Sequence, residues 1–121
     1  MQNRARLNRG GFVEVAYVGE QSNETVTEMV ARALPLADRL AERNRPVLIL
    51  ADLSGLTKST AGSRKATAEA LRTISYERIA VCGGNKYVKN LAKLVITATR
   101  RANRVRLFDK REEAVAWLGE A

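Results

Sequence analysis

The chain has 121 residues, of which 45% are hydrophobic and 28% charged, proportions that are typical of one soluble globular domain. It contains no histidine and a single cysteine, Cys82. This composition argues against a zinc site and removes the commonest general base, so we expect no cofactor and no enzymatic activity. No apolar run approaches the ~20 residues of a membrane span, and the basic N-terminus lacks the apolar core of a signal peptide. We therefore expect a cytoplasmic protein.

The positive charge is concentrated in the middle of the chain. The formal net charge is +8, and residues 58–108 hold twelve Lys/Arg but only two Asp/Glu, whereas residues 1–57 hold seven of each. Such asymmetry favours an anionic partner. A surface that is merely well solvated is the alternative.

Two strands and a helix are predicted first. Arg4–Leu7 and Phe12–Val18 have strand character and are separated by a glycine-bearing turn, which predicts a β-hairpin. Ser22 or Asn23 then caps a helix whose apolar residues recur at helical spacing. Pro35 lies inside this pattern and predicts a kink or a break near Leu34.

The central strand is predicted at Val47–Leu53, an unbroken apolar run of the kind that is buried on both faces of a sheet. Ser59 or Thr60 caps the next helix, which runs to about Ile74. The remaining elements are a strand at Arg78–Cys82, a helix at Lys86–Ala102, a strand at Val105–Phe108, and a helix at Lys110–Leu118 capped by Asp109.

The order β-β-α-β-α-β-α-β-α predicts an α/β fold with a mostly parallel sheet of four or five strands, an N-terminal hairpin and four helices. We expect residues 1–10 to be an N-terminal arm or first strand and residues 11–119 to form one domain. Cys82, Phe108 and Trp117 are expected in the core. A homodimer is compatible with a domain of this size, although no feature of the sequence predicts one.

A family resemblance rests on two segments. The run Leu48–Ser54, which ends in Asp-Leu-Ser, and the closing segment Val105–Leu118, with its F-D-x-x-E-E-A-x-x-W-L pattern, resemble the SpoIIAA-like branch of STAS domains over residues 11–119. These domains are relatives of anti-sigma-factor antagonists, and their fold is also compared with that of lipid-binding Sec14 (CRAL-TRIO) domains. The resemblance implies a bacterial regulatory module that binds a protein partner.

The phosphorylation site of that family does not carry over. In antagonist-type STAS domains, a serine in an Asp-Ser-Ser-Gly element after the central strand is phosphorylated by a partner kinase. The matching window here is Thr60–Ser63, and the phosphorylated position falls on Ala61. Phosphorylation of a neighbouring hydroxyl remains an alternative to a capping role.

The first candidate site is the segment after the central strand. Asp52 either positions a polar ligand or accepts backbone N–H groups of the following turn. Our first hypothesis is that this segment binds a protein partner. The predicted interaction surface comprises Asp52, Ser54, Thr57, Lys58, Ser59, Thr60 and Ser63.

The second candidate site is a glycine turn followed by a basic helix. Lys86, Lys89, Lys93 and Arg100 fall within an arc of about 60° at 100° per residue, and a helix that starts after two glycines can hold an anion. The alternatives are a plain tight turn and a solvated helix face. The predicted anion-binding residues are Gly83, Gly84, Asn85, Lys86, Lys89, Lys93 and Arg100.

Two kinds of ligand fit these basic residues. The second hypothesis is a lipid or a phosphate-bearing molecule held between the Thr57–Ser63 loop, the Gly83–Lys86 turn and the basic helix. The third is weak, nonspecific nucleic-acid binding, against which the low aromatic content of 5% argues.

Overall fold

A computed structural model describes residues 2–121. It contains five strands and four helices, whose bounds in chain order are β1 (Arg4–Asn8), β2 (Phe12–Gln21), α1 (Asn23–Glu42), β3 (Leu48–Ser59), α2 (Ala61–Thr73), β4 (Arg78–Cys82), α3 (Lys86–Thr99), β5 (Val105–Phe108) and α4 (Arg111–Leu118).

The five strands form one sheet in the order β1-β2-β3-β4-β5. The hairpin pair β1 and β2 is antiparallel, and the other three pairs are parallel. The predicted fold class is therefore confirmed, including the hairpin at one side of the sheet. Because the parallel pairs need crossover helices, both faces of the sheet receive a helical layer.

The two faces are covered unequally. Leu48 and Leu50 point to one face, where they pack with Trp117 of α4. Ile49 and Ala51 alternate to the other face, which α1, α2 and α3 cover. One short helix thus covers one face, and three helices share the other.

The expected core residues lie in the core. Cys82 and Trp117 are buried, and the ring of Phe108, which is partly buried, lies 5.6 Å from that of Trp117 between centroids. Burial raises the pKa of the Cys82 thiol to about 11, and the Asp52 carboxylate contributes to the same direction.

Two of the three predicted helix caps form, at Ser22 and Thr60, whose side chains accept the backbone N–H groups three residues on. Asn85 caps α3 in the same way, although it was predicted only as an anion-binding residue. The cap predicted at Asp109 is wrong: α4 starts after Lys110 with no side-chain cap. The Asp109 carboxylate instead accepts a 2.6 Å hydrogen bond from Lys89 Nζ, because the lysine charge on α3 is the stronger partner.

The central strand is longer than predicted. β3 continues to Ser59 instead of ending at Leu53, and β2 continues to Gln21. Beyond Asp52 only β2 pairs with β3, through a ladder with two register shifts. The polar composition of this half suggests a loop, but pairing on one edge only leaves its side chains free to face solvent.

Two helix predictions also differ from the structure. α1 is not broken at Pro35; the proline is exposed, so water can bind the Ala31 carbonyl that lacks its helical partner. α3 ends at Thr99 instead of Ala102, since Arg100 adopts a left-handed conformation with φ 59°.

Candidate functional site

An apolar cavity of about 170 Å³ lies between the sheet and helices α1, α2 and α3. Its wall includes five alanines, one on β3 and four on the helices α1, α2 and α3: Ala33, Ala37, Ala51, Ala70 and Ala92. Larger side chains such as Leu71 and Ile96 also line it and are only partly buried. The helices therefore point their apolar stripes at the sheet without filling the space beneath them.

Most polar side chains of the cavity wall form hydrogen bonds within the protein. Gln21 is bonded to Asn3, Thr25 and the Val18 carbonyl. Ser63 Oγ donates to the Thr60 carbonyl at 2.7 Å. These groups have no unmet hydrogen-bonding need, because their bonds are made inside the fold.

Two polar residues of the wall keep unused donors. The Tyr17 hydroxyl makes no hydrogen bond within residues 2–121 and is not a fully buried atom left without a partner, and desolvation of its partly buried side chain raises the pKa of Tyr17 to about 12. Arg64 donates through Nη1 to the carbonyl and Oγ of Ser59, at 2.9 and 3.0 Å. Of the residues that line the cavity, all of them in the described part of the chain, Arg64 alone carries a charge.

Sequence reasoning missed Tyr17 and Arg64 as site residues. The alternation of β2 places Tyr17 on the same face as Val13 and Val15. This alternation is the sequence pattern that could have identified Tyr17 as a residue facing the helices. Arg64 follows the cap Thr60 by one helical turn, but nothing local distinguishes it from the other cations of the basic region.

The predicted interaction surface is divided by the structure. Ser54, Thr57 and Lys58 are exposed on the extended half of β3. Asp52 Oδ1 accepts the Ser54 N–H at 2.9 Å, which is the backbone-accepting role given above as its alternative, although Ser54 lies in β3 rather than in a turn. Thr60 caps α2 and Ser59 lines the cavity, while Ser63 is only 2% exposed. The surface residues of this set therefore lie on a strand rather than in a loop.

The glycine turn packs against that strand. Gly83 and Gly84 have φ of +80° and +86°, and a Cβ at Gly83 would lie 2.8 Å from Ser54 N and 3.0 Å from Asp52 Oδ1. The structure thus brings the turn and the end of the central strand into contact. Both the backbone conformation and the lack of space for a Cβ require glycine here. The two glycines are therefore explained by the turn itself, without a bound anion.

The predicted basic helix face is real but lies away from the cavity. Lys86, Lys93 and Arg100 are exposed, and Lys89 is paired with Asp109. None of these cations and no residue of the Gly83–Lys86 turn lines the cavity; α3 contributes its opposite face, including Val88, Leu91, Ala92, Val95 and Ile96.

On the other face of the sheet, a charged cluster attaches α4 to β2. Arg111 Nη1 and Nη2 donate to the two carboxylate oxygens of Glu14, at 2.8 and 3.1 Å. These bonds hold the pKa of Glu14 down at about 2, and Asn8 and Arg6 act in the same direction. These bonds hold the last helix, α4, against β2 and stabilise the fold.

Residues 2–121 contain no group of three or more His, Cys, Asp or Glu side chains arranged to hold a metal ion. Across the same residues, none of the helices combines the length and apolarity that crossing a bilayer requires.

Comparison with known proteins assigns the family. A search of curated proteins finds no match. Among solved structures, an uncharacterised protein of the DUF3478 family from Shewanella loihica PV-4, which has a SpoIIAA-like fold, matches with a TM-score of 0.66 and 16% identity over 97% of this chain and 93% of that chain. The anti-sigma factor antagonist SpoIIAA in its unphosphorylated form matches with a TM-score of 0.62 and 10% identity over 98% of each chain. The SpoIIAA-like family model matches residues 12–119, and the chain therefore belongs to the SpoIIAA-like family.

Proposed function

We propose that the protein is a non-enzymatic binding module that holds an apolar or amphiphilic small molecule between its sheet and helices α1, α2 and α3. The SpoIIAA-like fold supports a regulatory or interaction module. The observation that carries the more specific proposal is the apolar cavity of about 170 Å³. A dry cavity of ~150 Å³ is large enough to bind benzene.

The wall of this cavity is almost entirely apolar, and several of its side chains, among them Leu71, Val95 and Ile96, are only partly buried. Burial of apolar surface contributes roughly 25 cal/mol per Å². A bound apolar molecule would cover these side chains, which gives a physical reason for ligand binding.

The test compares two substitutions on one helix. Ala92 lines the cavity, whereas Ala98 lies on the exposed side of α3. We expect 1-octanol to raise the melting temperature of the wild type and of Ala98→Phe, because a ligand that binds the native state stabilises it. Ala92→Phe occupies the space and removes the shift.

Circular dichroism establishes whether each variant folds. Native mass spectrometry of the protein purified from its own cells, at low and high ionic strength, supplies the mass of any retained molecule. A folded Ala92→Phe variant that responds to octanol like the wild type would show that the cavity is not the binding site.

A second candidate function is binding of a protein partner at the free edge of β3. β4 pairs with β3 only over Leu48–Asp52, and the glycine turn lies against Ser54, so the part of the strand from Gly55 to Ser59 is paired on the β2 side alone. An unpaired strand edge is able to accept a strand from another protein.

The side chain of Lys58 on this edge is exposed, which makes it a suitable test position. We expect Lys58→Glu to weaken capture of a partner from native cells, whereas Lys65→Glu on the exposed side of α2 leaves capture unchanged. Equal capture by both variants would exclude this edge as the interaction surface.

A further inference from the structure

Arg64 is a cation placed against an apolar cavity without an anionic partner. The ion pairs within residues 2–121 are Arg6–Glu14, Lys89–Asp109 and Arg111–Glu14, and none involves Arg64. A guanidinium has five N–H donors, and the hydrogen bonds to Ser59 use only those of Nη1. The Nε and Nη2 donors are therefore available to a bound molecule.

The position of Arg64 on α2 adds to the local positive potential. The helix begins at Ala61, and its first turn contains no acidic residue. A cation near a helix N-terminus is unfavourable with the helix dipole, whereas an anion is favourable. An anionic group beside Arg64 would thus complement both the side chain and the start of the helix.

Tyr17 supplies a second, independent donor at the cavity wall. Its side chain is partly buried and lines the cavity. The hydroxyl makes no hydrogen bond within residues 2–121 and is not a fully buried atom left without a partner, so it is open to solvent or to a bound molecule. The donors that the wall offers are thus a phenol O–H and a guanidinium, both of which donate to an acceptor.

From these contacts we infer that the molecule bound in the cavity is an anionic amphiphile of the carboxylate class, whose headgroup accepts hydrogen bonds from Arg64 and whose aliphatic tail lies against the apolar wall. The inference rests on the proposed ligand-binding function. A carboxylate is an acceptor with two oxygens, and a guanidinium can bind it through two parallel bonds. The cavity volume of about 170 Å³ fits a tail of about six carbons, by comparison with a benzene-sized cavity.

The experiment separates the headgroup from the tail. Octanoate and 1-octanol have the same chain length, but only octanoate is charged at pH 7. Isothermal titration calorimetry with the full chain should show octanoate binding roughly ten- to a hundredfold more tightly than octanol, as one charge-assisted hydrogen bond implies. Arg64→Met should abolish this preference and leave octanol binding unchanged.

Three further variants test this interpretation. Lys65→Met removes the neighbouring exposed lysine and should leave the preference intact, which excludes a general effect of charge. Arg64→Lys keeps the charge, so it should retain part of the preference even if Arg64→Met fails to fold. Tyr17→Phe should weaken octanoate binding several-fold with no loss of stability, since no protein group loses a bond.

The outcomes distinguish the two proposals. Equal affinity of the wild type for octanoate and octanol would overturn the carboxylate inference and leave the apolar binding function standing. Binding of neither molecule would overturn both. A preference for octanoate that survives in a folded Arg64→Met variant, or that vanishes in Lys65→Met, would also overturn the role of Arg64.

Discussion

The hydrogen-bonded pair of Glu14 and Arg111 makes the stability of the protein depend on acid pH. The pKa of Glu14 falls from the ordinary value of 4.5 to about 2, chiefly through its hydrogen bonds with Arg111. At ~1.36 kcal/mol per pKa unit this shift corresponds to about 3 kcal/mol. The Arg111 side chain is 40% exposed, so solvent screening lowers the expected contribution to about 2 kcal/mol.

The direction of the effect follows from the lowered pKa. Because the folded protein holds Glu14 ionised more strongly than the unfolded chain does, this stability is fully present above pH 4.5 and is lost as the pH falls towards 2. Glu14→Gln should therefore be less stable than the wild type by about 2 kcal/mol at pH 7. The difference between the two proteins should shrink steadily below pH 4.5.

Urea unfolding measures this difference. Trp117 is the only tryptophan and is buried against the sheet, so its fluorescence reports the unfolding of the packed α4 face. Glu113→Gln, an exposed substitution on the same helix, is the matched control and should change stability by less than about 0.5 kcal/mol at any pH. A difference between wild type and Glu14→Gln that stays constant from pH 7 to pH 2.5 would refute the assignment of the shift to this pair.

Three further predictions follow from single side chains. Gly83→Ala should lower the free energy of unfolding in urea by about 1–3 kcal/mol more than Gly19→Ala does. Both glycines have positive φ, but only at Gly83 would a Cβ meet backbone, 2.8 Å from Ser54 N. Equal losses of stability in the two variants would contradict this contact. Cys82 should not react with iodoacetamide at pH 8 in the folded protein and should react in urea, since burial raises its thiol pKa to about 11; rapid labelling of the native state would be inconsistent with the buried position. In a spectrophotometric titration one of the three tyrosines should ionise near pH 12, and Tyr17→Phe should remove that step; its persistence in the variant would assign the high pKa to another tyrosine.

Much of the fold is encoded locally and could be predicted. The apolar run from Leu48 to Leu50 and the alternation of β2 identify strands because each is determined by the period of a few consecutive residues. The predicted caps Ser22 and Thr60 depend on one side chain and the N–H three residues on, as does the cap Asn85, which was not predicted. Asp109 failed as a cap because its carboxylate is bonded to Lys89, twenty residues away in the sequence, and no local pattern contains that contact.

The extended half of β3 shows the same limit at the level of a strand. Ser54 to Ser59 has the composition of a loop, and it becomes a strand only because β2 runs beside it as far as Gln21. Strand formation here depends on pairing with a distant segment and not on local propensity. The location of the candidate surface near the end of the central strand was predictable, whereas its extended conformation and its free edge were not.

The cavity could not be predicted from the sequence, because periodicity gives the direction of a side chain but not the depth to which it packs. The helical stripes point Leu71 and Ile96 towards the sheet, and the same pattern would describe a completely filled core. The space remains open because alanines from α1, β3, α2 and α3 face one another across it. No single one of these alanines is unusual for its element, and the missing volume arises only when four elements are assembled. A substitution that lengthens one of them, such as Ala92→Phe, is for this reason a test of the assembled interior rather than of the helix that carries it.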